Sequence, residues 1–590
     1  MKLIEALNII SEISGAEAQP FRVALVSGFT PLHLQTFLHA ELGQLFPVHR
    51  VEVTTGSYGD LTGTLENLNT NELDAVAVVL EWSDLDPRLG IRQLGGWSPG
   101  DLGSILERAS IYLEHVGSLM EKISRSLPMV ISLPALPLVP IFLTAGWQSS
   151  DLELQLKGEI ATFAAGVAQL DHVKLVNADR LDRASPPHSR FNAKSEWSTG
   201  FPYQLSHASA LAHLLATLIC NPLPKKGLIT DLDNTLWNGI VGEVGADGVF
   251  WDQDHHSAPY GFYQQMLKAL AEEGVLIAGA SKNEPLTVAE AFNRPDLILP
   301  KESLTALEVS WRSKAEAVSR ILKLWNVGAD SVVFVDDSAL ELAEVKLTHP
   351  EMECLLFPYD DPQAIYELVW KLRDRFGRES ISQEDRLRSH SIGSRAESGQ
   401  RSEENGAGFS DALLESAEAE VTVSLRKDAN DARALELINK TNQFNLNGKR
   451  ITEAAWGKYL REPNTFMLTV SYKDRFGSLG KIAVMTGRVD ESCVSVDTWV
   501  MSCRAFARRI EHQCLKAVFE TLRKDQIVFD YAKTSRNGPI TTFFSELLKE
   551  KPESNVTISR ELFSANCPTL FHRVLELNNE SPRSSLSEMF

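Results

Sequence analysis

GLITDLDNT, residues 227–235, is an apolar run that stops on two carboxylates, Asp231 and Asp233, one residue apart. A second run of the same kind, SVVFVDD, residues 331–337, stops on Asp336 and Asp337. Short, uninterrupted, β-branched runs read as strands buried on both faces, the habit of parallel sheets covered by helices. In such sheets ligands bind beyond the carboxyl ends of the strands. These two stretches therefore indicate both a fold class, α/β, and a place for chemistry.

Working outward, VLIAGAS ends on Ser281, and DLILP and CLLFP complete a set of expected strands. WRSKAEAVSRIL places Lys314 near the start of an amphipathic helix. Each element alone has a bland reading: DLDNT a turn or cap, Ser281 a cap, Lys314 a solvated helix residue. Together, in this order, they suit phosphoryl transfer. A carboxylate attacks phosphorus and splits one displacement into two, and Asp231 is the expected nucleophile. Asp233, two residues on, lies on the same side of an extended backbone and is expected to protonate the leaving oxygen and later deprotonate water. Magnesium prefers oxygen ligands, so Asp231, the Asp233 carbonyl and Asp336 form its expected cage. Ser281 and Lys314 are expected to hold the remaining phosphoryl oxygens.

The chain of 590 residues exceeds the roughly 250–300 at which one hydrophobic core stops growing. Three domains are expected, over residues 1–221, 222–378 and 418–590, with a linker region at 379–417. In the first, RVALVSG, HRVEVTTG, LDAVAVVLEW, MVISLPAL and HVKLVNAD alternate with helix-period stretches. The linker reading rests on GSRAESGQRSEENGAGF, which buries too little apolar surface to order itself. The last domain mixes strands (FMLTVSYK, GKIAVMTGRV, CVSVDTWVMS) with helices in an α+β pattern. A net charge of −20 and no dense basic run argue against a nucleic-acid partner. Six scattered cysteines suit a reducing compartment. The run at 129–147 is broken by three prolines and reads as a strand and loop, not a membrane span. With an N-terminus unlike a secretory signal, the expectation is a cytoplasmic protein with no membrane partner.

DLDNTLWNGIVGEVGADGV and VDDSALELAEV resemble the FkbH-like branch (subfamily IIIC) of the haloacid dehalogenase (HAD) superfamily of phosphatases. The resemblance implies a Rossmann-like core, Mg2+ and an aspartyl nucleophile. Carried over by motif, it makes Asp231, Asp233, Thr235, Ser281, Lys314, Asp336 and Asp337 the site, with Thr235 among the substrate-binding residues and Asp337 among the metal-binding ones. Residues 236–280 are too few for a large inserted cap.

The same family implies an N-terminal domain related to SGNH hydrolases and a C-terminal domain resembling GNAT acyltransferases. Thr30 in SGFT stands where SGNH enzymes carry a serine, and QLSH offers Gln204 and His207 without an orienting carboxylate. Nucleophilic catalysis needs a base and something to orient it, so the domain reads as a degenerate docking or structural module. In the C-terminal domain the expected glycine-bearing pyrophosphate loop is replaced by residues 504–509, from Arg504 to Arg508 and Arg509, with no glycine. Those arginines are either a site for a phosphopantetheine phosphate or an acidic carrier surface, or a solvated basic turn. Cys503 either carries a thioester or is a buried strand-end cysteine. Asn439, Thr441, Asn442 and Asn445 either line an acyl pocket or cap helices and turns.

The whole resemblance implies a glyceryltransferase/phosphatase. It would load a glyceryl unit from 1,3-bisphosphoglycerate onto an acyl carrier protein, with Mg-dependent dephosphorylation, in polyketide or other secondary-metabolite biosynthesis. The alternative is a phosphatase or phosphoryl transferase for another small phosphorylated metabolite, such as a sugar phosphate.

Overall fold

The computed structural model describes residues 1–13, 19–94, 101–140, 144–378, 414–415, 418–441, 444–475, 477–502, 505, 508–534 and 537–577. The proposed linker lies almost wholly outside them, as do Asn442, Cys503 and Arg504. The chain divides into two compact units, Met1–Pro222 with Ile451–Arg461, and Leu223–Arg450 with Glu462–Phe590.

The first unit holds a parallel sheet of β1 (Pro20–Ser27), β2 (Arg50–Thr55), β3 (Ala75–Val79), β4 (Met129–Ser132) and β5 (Val173–Leu175), in the order β2-β1-β3-β4-β5. The five residues of β3, AVAVV, are all buried, as a strand covered on both faces requires. The helix Glu453–Arg461 packs in this unit: Ala454 joins the core of Val116 and Met120, and the Glu453 carboxylate pairs with His172 Nδ1.

In the second unit, β6 (Gly227–Thr230), β7 (Leu276–Ser281), β8 (Ala306–Val309), β9 (Val332–Asp336) and β10 (Glu353–Leu356) form a parallel sheet in the order β10-β9-β6-β7-β8. Neighbouring residues feed opposite faces: Leu228, Val333 and Val335 enter one core, Ile229, Val332 and Phe334 the other. Asp231 follows β6 and Asp336 ends β9, and these adjacent strands flank the point where the strand order reverses. Connections there leave a crevice for ligand.

One expected strand is wrong. DLILP, residues 296–300, is a loop, and the edge strand is Ala306–Val309. The Gln264 side-chain oxygen accepts from the backbone N–H groups of Ile298 and Leu299 at 3.1 and 3.3 Å, taking donors that a sheet neighbour would need. Pro300 then closes the segment.

The remaining strands make a mixed, mainly antiparallel eight-stranded sheet. They are β11 (Glu420–Ser424), β12 (Phe444–Asn445), β13 (Thr465–Asp474), β14 (Gly477–Val489), β15 (Val494–Met501), β16 (Gln526–Ala532), β17 (Ser554–Ser559) and β18 (Arg573–Leu577). The alternation expected of a one-sided sheet is clear in β11, where Val421 and Val423 are buried between more exposed neighbours. An aromatic core of Trp499, Phe529, Phe543 and Phe544 lies beneath.

Candidate active site

Three acids at the strand ends of the second sheet converge. Asp231 and Asp336 are 4% and 0% exposed, and Asp337 is half-buried. One carboxylate oxygen from each lies within 4.8 Å of the others. Lys314 opens the helix Lys314–Trp325, whose start is fixed by the Ser313 hydroxyl accepting from Glu316 N–H at 3.2 Å. That cap delivers the Lys314 ammonium between two acids, 2.9 Å from Asp231 Oδ2 and 2.6 Å from Asp336 Oδ2. Asp336 Oδ1 accepts from Ser338 N–H at 2.9 Å, which fixes the carboxylate at the strand end.

Three carboxylates face one ammonium. Burial pushes the Asp231 carboxyl up from its ordinary value, against the pull of Lys314, and the charge of Asp336 adds to the rise. Asp336 is raised by burial too, again opposed by Lys314, and Asp337 by burial and by Asp336. Burial opposes the Lys314 charge, but Asp231 and Asp336 outweigh it and hold its pKa above the usual value. The donor set is hard oxygen, gathered within reach of one ion and short of positive charge, so it suits a magnesium ion. The adjacent carboxylates at the end of β9 thus supply two of the three acids gathered at this point.

Asp233 sits in a tight loop in which Asn234 takes a left-handed backbone (φ 49°) and its side chain accepts from Gly239 N–H at 3.1 Å. The Asp233 Oδ1 atom accepts from Trp237 Nε1–H at 2.9 Å and Val241 N–H at 3.0 Å; Oδ2 accepts from Asn283 Nδ2–H at 2.6 Å. A carboxylate has about four lone-pair directions, so one, on Oδ2, is left for a proton. Asn283 also donates to Ser281 Oγ at 3.3 Å and is 2% exposed. It therefore ties together two residues expected from the sequence, and the sequence reading missed it. Its signal was slight: a polar residue two places beyond Ser281, in the bend where the chain leaves β7. Thr235 is fully buried, and its hydroxyl finds no partner among the described residues. No inserted domain separates β6 from β7, only short helices and the helix Ala258–Glu272.

The other candidates fall elsewhere. His207 is buried, its Nδ1 3.0 Å from Ser185 Oγ and its ring edge-on to Tyr203. Burial, with the charge of Arg190, lowers its pKa to about 3. Thr30 N–H is bound to Gly200 O at 3.0 Å. The Arg508 guanidinium lies over the Tyr472 ring and 3.8 Å from Asp474. Arg509, in left-handed backbone before the helix Ile510–Leu522, donates to Thr569 O at 2.7 Å and lies over Phe571. The Asn445 side-chain oxygen accepts from Asn447 and Gly448 N–H, and its amide donates to Thr441 O, so it builds a turn. Asn439 lies in the helix Ala432–Lys440, which ends against Thr441.

The sequence matches no model of a known protein family and no curated protein. Among solved structures it resembles the N-terminal part of protein BF1531 from Bacteroides fragilis, described as containing a phosphatase domain complexed with Mg. The identity is 18% and the TM-score 0.51, over 64% of this chain and 100% of that one. At that identity the likeness establishes a shared fold. A phospholipase A1 from Streptomyces albidoflavus (10% identity, TM-score 0.24, 34% of this chain and 98% of that one) is too remote to carry an argument. The same holds for an uncharacterised protein from Corynebacterium glutamicum (16%, TM-score 0.20, 26% and 98%). Among the described residues no helix is long and apolar enough to cross a membrane.

Proposed function

We propose that the chain is a magnesium-dependent phosphatase of the haloacid dehalogenase type acting on a small phosphorylated metabolite. The observation that carries this reading is the convergence of Asp231, Asp336 and Asp337 around a common point, with Lys314 bridging two of them. Asp231, Asp336 and Asp337, with the backbone carbonyl of Asp233, are the groups that would hold Mg2+, which when bound would offset charge on the carboxylates and on the phosphoryl group.

The chain's own residues divide the chemistry. An Asp231 oxygen attacks phosphorus, forming the aspartyl–phosphate bond as the bond from phosphorus to the leaving oxygen breaks. Asp233, aimed by Trp237, Val241 N–H and Asn283, gives its proton to that oxygen and then takes one from the water that attacks the phosphoaspartate. Phosphate leaves and the Asp231 carboxylate is restored. Ser281 and Lys314 hold phosphoryl oxygens. The test is release of phosphate from p-nitrophenyl phosphate: magnesium-dependent release, lost in Asp231→Asn, supports the reading, and release that persists in the variant or ignores magnesium contradicts it.

The finer proposal is that the substrate is 1,3-bisphosphoglycerate and that a glyceryl unit passes to the phosphopantetheine arm of an acyl carrier protein. Its support is the resemblance of residues 227–345 and 436–520 to FkbH-like proteins; whether Cys503 carries the acyl group is open in this reading. The engagement of Arg508 and Arg509 in contacts within their own domain favours the second reading, a phosphatase for another metabolite such as a sugar phosphate. A glyceryl mass increment on carrier proteins incubated with the enzyme and bisphosphoglycerate supports the first; its absence while phosphate is released supports the second.

A further inference from the structure

The first sheet has its own reversal of strand order, between β1 and β3. Beyond those strand ends lies a cavity of about 110 Å³. Phe29 enters it from the loop after β1 and Glu81 and Trp82 from the loop after β3, with Leu136, Leu138 and Phe191 completing an apolar wall. An engineered cavity of about 150 Å³ holds benzene, with its six non-hydrogen atoms, so this one, of about 110 Å³, suits about four.

The residues of a hydrolase are not gathered here. Neither Thr30 nor His207 lines the cavity, and His207 faces Ser185. What lines it instead is acid. Glu81 is 2% exposed and already accepts from Tyr203 O–H at 2.7 Å and from the backbone N–H groups of Ala135 and Leu136 at 3.2–3.4 Å. Burial, opposed by those donors, pushes its carboxyl up to about 8. Asp84, beneath it, accepts from Glu81 N–H at 2.7 Å and is pushed up to about 7 by burial, with the charge of Glu196 contributing.

Glu196 is the lining acid with capacity to spare. Its Oε2 is buried and has no hydrogen-bond partner among the described residues. The nearby cation is Arg92, which donates to the Glu196 backbone carbonyl, not to the carboxylate, and leans over the Tyr58 ring. A buried acceptor left unfilled carries a desolvation cost that a charged donor removes. With Glu81 and Asp84 held by internal donors, an apolar wall and the one unfilled carboxylate oxygen of Glu196 select a positively charged donor on an apolar body.

We propose that this cavity binds a primary ammonium group carried on a short apolar chain, with Glu196 as its counter-ion. The site is independent of the phosphoryl chemistry and performs no reaction.

The test uses the full chain with methyl-labelled Leu and Val, titrated with three probes of one shape: propylammonium, 1-propanol and propanoate. The proposal expects saturable shifts of the Leu136, Leu138 and Val139 methyls with the ammonium, about tenfold weaker binding of the alcohol, and none of the carboxylate. Glu196→Gln is expected to erase the ammonium preference while retaining binding of the alcohol. Equal affinity for alcohol and ammonium, a preference that survives in Glu196→Gln, or no shift with the ammonium overturns it. Should the variant fail to fold, the three-probe series on the native chain still decides.

Discussion

Two five-stranded parallel sheets in this chain end in acids at the point where their strand order reverses, and the acids do opposite things. At the second sheet, Asp231, Asp336 and Asp337 gather beside Lys314, three carboxylates to one ammonium, with an oxygen of each within 4.8 Å of the others. At the first, Glu81 and Asp84 are consumed by internal donors: Tyr203 O–H and backbone amides for Glu81, Glu81 N–H for Asp84. The topological position provides a crevice in both cases. Whether that crevice is reactive depends on whether the carboxylates point at each other or at the protein's own donors.

The sharpest way to break the comparison is to remove the nucleophile. Asp231→Asn should lower phosphate release by about 10³-fold or more, since loss of a covalent nucleophile leaves only binding and electrostatics. A malachite-green assay of turnover checks this. Next is Lys314→Met. It leaves Asp231 and Asp336 buried without their cation, and breaking a buried pair costs about 3–5 kcal/mol. Thermal unfolding without magnesium should show that loss, and added magnesium should recover part of it. If magnesium recovers nothing, the carboxylates do not share an ion.

Asn283→Ala should be milder. Asp233 loses the donor at Oδ2 and Ser281 loses its neighbour, so kcat should fall by about 10²-fold with little change in melting temperature. An unchanged kcat would remove Asn283 from the site.

The smallest effects belong to the first sheet. Thr30→Ala should leave phosphate release unchanged, and p-nitrophenyl acetate hydrolysis should be equally low in both proteins. His207 supplies a pH signature in place of activity. Its folded pKa, about 3, lies below the unfolded value near 6.5. Its neutral form therefore contributes stability that is fully present above pH 6.5 and is lost as pH falls towards 3. Melting curves of His207→Gln should fall less steeply with acid over that window than those of the native chain.

Much of this was legible because parallel strands buried on both faces leave uninterrupted apolar runs, and a charged residue ending such a run stands out. Asp231, Asp336 and Asp337 were visible for that reason, Ser281 as a polar residue ending a similar run, and Lys314 because a helical period begins beside it. The edge strand Ala306–Val309 was not visible: it is half-buried and short, and DLILP offered a stronger apolar run whose amides Gln264 takes. Asn283 lies in a loop, where apolar periodicity says nothing. The fate of Glu81 depends on Tyr203, 122 residues away, a pairing that no local pattern encodes.

In the proposed reaction Asp231 takes phosphorus from the substrate while its neighbours hold it beside a cation. The most direct measurement is to quench turnover in acid, reduce the acyl phosphate with borohydride and sequence the peptide that spans residues 227–235 by mass spectrometry. Homoserine is expected at position 231 only when both magnesium and a phosphomonoester are present. Aspartate unchanged at 231 in a sample caught during turnover, or the reduced residue found elsewhere, would contradict it.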